Sequence, residues 1–162
     1  MKQYIGTKLI EAEPAIMVNG KMVLVDDFNA VIPAPPKAEV RAGYKVRYPD
    51  GYESWSPRDV FEKAYLPLSV NPNLKTNRPS ISQEMVDNFI KERHTDTLGD
   101  KTTVVRAVLR NGFEIVEASS CVSPENYDEC IGQEICEERI KDKVWELLGF
   151  LLQTAVNGVT EG

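Results

Sequence analysis

Residues 102–152 limit the fold of this chain most. Thr103–Arg110 and Phe113–Ala118 are runs rich in β-branched residues, separated by Asn111-Gly112. Asn-Gly best accepts the two positive φ angles of a type I′ turn, so a β-hairpin is expected here. Ser123-Pro124-Glu125-Asn126 follows, with Ser as N-cap, Pro fixing the first helical φ and an acid near the positive end of the helix dipole. A long helix should start at that point. Its apolar positions, Cys136, Ile140, Val144, Leu147, Leu148, Leu151, Leu152 and Ala155, recur in steps of three and four and make one buried face. The hairpin is the surface for that face to cover. Gly132 and Gly149 interrupt the pattern, each at a cost of about 1 kcal/mol relative to Ala. This points either to close approach of another backbone, such as a second copy of the helix, or to a break near Gly149.

Upstream, Lys2–Ile10 reads as a short β-like run. Ala15–Val18, Asn19-Gly20 and Lys21–Val25 repeat the strand, Asn-Gly, strand pattern. Residues 26–42, with Pro33, Pro35 and Pro36, suit an exposed loop. A further hairpin is expected from Tyr44–Tyr48 and Tyr52–Trp55 around Pro49-Asp50-Gly51, followed by a helix from Arg58 to Tyr65 capped at Ser56 and packing through Val60, Phe61 and Ala64. Residues 69–79 hold two prolines and three asparagines and read as a linker. Ser80-Ile-Ser-Gln83 suits a capping box for a helix to about Arg93, buried through Met85, Phe89 and Ile90, with Thr95–Lys101 as a loop. The expected class is α+β, in two modules: 1–68, a small antiparallel sheet with one helix, and 80–162, a helix, hairpin and long helix.

Charge divides with the modules. Residues 1–68 carry nine Lys/Arg and nine Asp/Glu, whereas 69–162 carry ten against sixteen, the source of the net −6. That balance argues against a nucleic-acid polymer or an anionic membrane as partner. There is no leader-like segment and no bilayer-length apolar run, so a location in the cytoplasm is expected. Cys121, Cys130 and Cys136 lack CxxC spacing and read as reduced, buried thiols. No metal-ligand cluster, nucleophile elbow, Walker loop or GxGxxG is present in the sequence.

Arg110-Asn-Gly-Phe113, Asn126-x-Asp128-x-x-Ile131-Gly132 and Lys143-Val-Trp145 together resemble the gene-product-49-like bacteriophage proteins, over about Ile81–Leu152. Tyr4–Lys8, Gly43-Tyr44, Tyr48-Pro-Asp-Gly-Tyr52 and Ser54-Trp-Ser-Pro57 resemble a separate short module of uncharacterised phage and prophage proteins. The second-module pattern is similar to phage anti-Thoeris sponges, which bind cyclic ADP-ribose signals, and in some cases cyclic trinucleotides, without cleaving them. The resemblance implies a non-catalytic binder of a cyclic nucleotide that works as a homo-oligomer in the host cytoplasm and needs no cofactor.

Holding such a ligand takes cations for phosphate, an aromatic plane for the base and amide or carboxylate groups for ribose hydroxyls. Arg106 and Arg110 share a strand face, and Arg139 and Lys143 share a helix face. The four are either phosphate ligands or ordinary partners of Glu114, Glu117, Glu138 and Glu146. Asn126 and Asp128 either contact base and ribose at a helix N-terminus or complete the cap. Phe113 and Tyr127 are stacking candidates or core residues, and Trp145 is core or interface. His94 reads as a helix-end residue complementing the dipole. Ser119, Ser120 and Cys121 have no base partner legible in the sequence.

Overall fold

In the computed structural model, which describes residues 1–29 and 36–160, Asn19 and Gly20 take φ of 47° and 80° and join strand β1 (Glu11–Val18) to β2 (Lys21–Leu24). Both positive φ angles of a type I′ turn are present, as the dipeptide predicts. Strand β3 (Val40–Arg47) pairs with the other side of β1, and β4 (Glu53–Pro57) with β3, giving the antiparallel order β2-β1-β3-β4. Lys2–Ile10 is not a strand; pairing begins at Glu11 and runs through Pro14. Pro14 is tolerated because its carbonyl accepts from Val25 N on the β2 side. Its missing N–H faces that same side, where β2 has ended, and the ladder to β3 is intact. The expected loop at 26–42 ends at Val40, where β3 starts; Pro33 and Pro35 lie outside the described residues.

Helix α1 (Arg58–Ala64) follows β4 directly. Its N-cap is Pro57, with no side-chain cap bond, because Ser56 is paired within β4 opposite Tyr44. Val60 and Ala64 face solvent, and attachment rests on Phe61, stacked on Tyr44 at 4.1 Å and on Tyr65 at 4.9 Å. Arg58 lies 4.5 Å over the Phe28 ring and donates to Glu62, which also accepts from the Tyr44 hydroxyl. The Arg58 bond first, and the Tyr44 bond second, hold the Glu62 carboxyl below its ordinary range. On the opposite sheet face Arg41 sits 5.4 Å over Trp55, whose ring fills the space above Gly43; a Cβ there would come within 2.6 Å of it.

One compact unit holds Met1–Pro67 and another Leu68–Asn157. The 69–79 stretch is anchored within the second: Asn71 Nδ2 donates to Ile81 O at 2.9 Å, and the Ser69 hydroxyl meets that of Ser82. Ser82, not Ser80, caps helix α2 (Gln83–Phe89), accepting from Met85 N at 3.2 Å, and the buried residues are Met85 and Val86. The helix does not reach Arg93. Ile90–Leu98 is a strand, β5, pairing with β6 (Thr102–Leu109), which pairs with β7 (Glu114–Ser120). His94 is therefore a strand residue, opposite Arg106. The β6–β7 hairpin stands, yet its turn is not type I′. Leu109 and Phe113 close it, Gly112 alone takes positive φ, and Asn111 spends its side chain accepting from Phe113 N. The loop is thus a three-residue turn ending in a glycine bulge.

The long helix α3 spans Glu129–Asn157. Pro124–Asn126 is a separate 3₁₀ turn; Asp128 is the cap, accepting from Cys130 N at 2.8 Å and Ile131 N at 3.2 Å. The buried stripe is Gly132, Cys136, Ile140, Val144 and Leu148, set against the inner residues of β6 and β7, Thr103, Val105, Ala107, Leu109 and Ile115. Leu147 and Leu151 are exposed, and Trp145 is half-buried. Cys136 is buried, but Cys121 is half-buried and Cys130 exposed; all three are free thiols. The close approach at Gly132 comes from Thr103 of the same chain: a Cβ would overlap Thr103 Oγ1 and lie 2.6 Å from its Cβ. At Gly149 a Cβ would meet nothing within 4 Å, and the helix runs through it unbroken. Gly132→Ala is expected to cost about 1–3 kcal/mol of stability by overpacking against a β-branched neighbour. Gly149→Ala should gain up to about 1 kcal/mol. Urea denaturation of the two variants checks both signs.

Candidate functional site

In the second unit α3 covers one face of the three-stranded sheet, and the other face is open. On β6 the alternation is strict: Thr103, Val105, Ala107 and Leu109 turn toward α3, and Val104, Arg106 and Val108 turn outward. Across the open face Arg106 has His94 on one side and Val116 on the other, with Glu114 3.5 Å from its Nη1. The two side chains are 42% and 50% exposed, and an ion pair so open to water is worth about 1 kcal/mol or less. His94 Nε2 lies 3.4 Å from Glu92, whose carboxyl is held low by Lys91 first and His94 second. Val116 and Leu98 add exposed apolar surface at 55% and 68%.

The remaining residues singled out from sequence do not join Arg106 in one place. Arg110 and Phe113 are exposed in the β6–β7 turn, at one end of the sheet. Asn126 and Asp128 follow β7 at the opposite end, and Asp128 Oδ1 accepts both cap bonds. Arg139 and Lys143 fasten α3 to the β7 edge: Arg139 Nη1 donates to Ala118 O at 3.0 Å, and Lys143 pairs with Glu117 on the inner face. The spacing that puts those two cations on one helical face is correct, but the face is spent on the sheet. A single chain thus leaves Arg110, Phe113 and Asn126 exposed and Arg106 half-exposed, in three separate positions.

Sequence reasoning missed the polar junction at the start of α3. The Tyr127 hydroxyl meets Thr97 Oγ1 at 2.7 Å and the buried Thr103 Oγ1 at 3.0 Å, and Thr97 also donates to Glu129 at 2.6 Å. Tyr127 is thus neither a free stacking plane nor an apolar core residue. Its signal in the sequence is weak, because Thr97 lies in a segment too polar to read as a strand. Cys136 Sγ approaches Thr103 O at 3.9 Å, and burial pushes its thiol pKa up, so it stays protonated.

The first unit carries an open recess of about 550 Å³ lined by Lys8, Tyr48, Pro49, Asp50 and Tyr52. The two tyrosine rings stack at 5.8 Å and Lys8 Nζ lies 5.5 Å over Tyr48.

Residues 81–156 match the model of the Phage protein (N4 Gp49/phage Sf6 gene 66) family. That match takes in α2, the whole β5–β7 sheet and nearly all of α3, so the gene-product-49-like part of the chain is the second unit. The first unit lies outside it. No curated protein and no solved structure matches the chain. Among the described residues, no helix is long and apolar enough to cross a membrane.

Within the gene-product-49-like unit, Tyr127→Phe would leave the buried Thr103 hydroxyl without its partner. It should cost about 1–2 kcal/mol in urea unfolding.

Proposed function

We propose that this chain is a phage protein that binds and retains a cyclic nucleotide immune signal, a cyclic ADP-ribose isomer or a cyclic oligonucleotide, without cleaving it, and so blunts host antiphage defence. The family match over the second unit supports a phage origin. The observation that carries the ligand reading is the uncovered face of the β5–β7 sheet. There Arg106 is held only by an exposed carboxylate at 3.5 Å, a pair weak enough for a phosphate to displace. Arg110 and Phe113 in the adjoining turn supply a second cation and a base-stacking plane. Asn126 lies beyond the end of the sheet opposite the turn, across strands of seven and eight residues that are about 24–27 Å long, so a ligand that meets both Asn126 and Arg110 is held between two copies. The reading therefore carries a homo-oligomer, acting in the host cytoplasm without a cofactor.

A second reading has its own observation. The Lys8, Tyr48, Tyr52 recess lies in the unit outside the family match, and Tyr52 is 65% exposed. Aromatic residues of this kind anchor protein interfaces, which suits an inhibitor that docks on a host defence enzyme.

To test the first reading, the purified chain is mixed with cyclic ADP-ribose isomers and cyclic di- and trinucleotides, washed free of unbound ligand, and heated. Mass spectrometry of the supernatant should find one species released intact, and Arg106→Ala and Asn126→Ala should each abolish its retention while the circular dichroism spectrum is unchanged. Recovery of a cleaved product would contradict retention without turnover. Nothing released would favour the second reading, and equal retention by both variants would remove the proposed site.

A further inference from the structure

On the open face of the second unit the three strands set their outward side chains in rows. Glu92, Val108 and Glu114 make one row, His94, Arg106 and Val116 the next, and Asp96, Val104 and Ala118 the third. In these rows Arg106 is the one Lys or Arg, set among three carboxylates. Glu114 and Asp96 are both diagonal neighbours of Arg106, one toward β7 and the other toward β5. They differ in what they do. Glu114 reaches to 3.5 Å of Arg106 Nη1, whereas Asp96 Oδ1 accepts from Thr97 N in its own strand at 2.8 Å.

His94 stands directly opposite Arg106, and side chains so placed start about 4.5–5.5 Å apart at Cβ. Each is held to its own carboxylate, Arg106 to Glu114 and His94 to Glu92 at 3.4 Å, and Glu92 is shared with Lys91 at 3.1 Å. An imidazole keeps at least one N–H donor whether it is charged or neutral, and a guanidinium keeps five. One phosphate group can therefore accept from both side chains at once.

We propose that Arg106 and His94 together form the phosphate seat of the open face, and that Glu114 occupies its guanidinium as a built-in competitor when no ligand is bound. The inference rests on the ligand reading above and adds to it a second contact and a regulator. A phosphate that reaches Arg106 must displace the Glu114 carboxylate, so affinity is set by the difference between two anions and not by the arginine alone. An ion pair this exposed exchanges readily, so Glu114 lowers affinity without closing the seat.

The full chain and its Glu114→Gln, Asp96→Asn, His94→Ala and His94→Gln variants are titrated calorimetrically with the cyclic ADP-ribose isomers and the cyclic di- and trinucleotides. All three positions are exposed, and circular dichroism should be unchanged throughout. Glu114→Gln should bind about three- to tenfold more tightly than the wild type, the effect of releasing one exposed ion pair. Asp96→Asn, which removes the same charge from the same face without freeing Arg106, should gain no more than about twofold, because an exposed charge out of contact is screened. His94→Ala should bind about three- to tenfold more weakly, and His94→Gln, which keeps an N–H donor, should recover most of that loss. Equal gains in Glu114→Gln and Asp96→Asn, or wild-type binding by His94→Ala, would overturn the seat and leave the ligand reading in place. No binding of any of these nucleotides by the wild type would overturn the ligand reading and the seat with it.

Discussion

The second unit depends on how closely α3 can approach β6. A helix packs on a sheet through side chains, and at Gly132 there is none, so the Thr103 side chain sits directly against the helix backbone. That contact fixes where α3 begins its crossing. From Gly132 the buried stripe then advances four residues at a time through Cys136, Ile140, Val144 and Leu148. Each such step turns the stripe by about 40° around the helix, so it spirals and follows a twisted sheet. Leu147 and Leu151 belong to the three-residue branch of the apolar pattern and are left exposed. The polar junction of Tyr127, Thr97 and Thr103 closes the same corner, giving the buried threonine hydroxyl a partner.

With the single long helix on one face, the other face of β5–β7 stays open, and this shapes the functional reading. Cations that pack between helix and sheet, Arg139 and Lys143, are used to hold the two together. Arg106, one residue out of phase with the buried set, is turned to solvent and only weakly paired. Helix packing therefore divides four similar-looking basic residues into structural and available ones.

Much of this was legible in the sequence where one residue pattern had one physical meaning. Asn19-Gly20 gave its turn type and hairpin, and the alternation along β6 gave its buried face. The same dipeptide at Asn111-Gly112 misled, because the turn type depends on where the flanking pair closes, and closure at Leu109 and Phe113 leaves three residues in the loop. Strand β5 was not legible at all: Lys-Glu-Arg-His-Thr-Asp has no apolar alternation, since an edge strand open to water needs none. The cap of α3 was displaced from Ser123 to Asp128 because Pro124–Asn126 forms its own 3₁₀ turn. For the candidate site, sequence supplied the residue types but not their separation, which is set by strand direction and by which helix faces are consumed in packing.

The proposed ligand site is the open face and turn of the second unit, with the first unit taking no part. The decisive measurement is hydrogen–deuterium exchange of the full chain with and without an excess of each candidate cyclic nucleotide. Added protection is expected in β6, β7 and the turn between them, around Arg106, Arg110 and Phe113, and around Asn126, with exchange in residues 1–67 unchanged. Protection confined to the Tyr48–Tyr52 segment, or the same exchange everywhere with and without nucleotide, would contradict it.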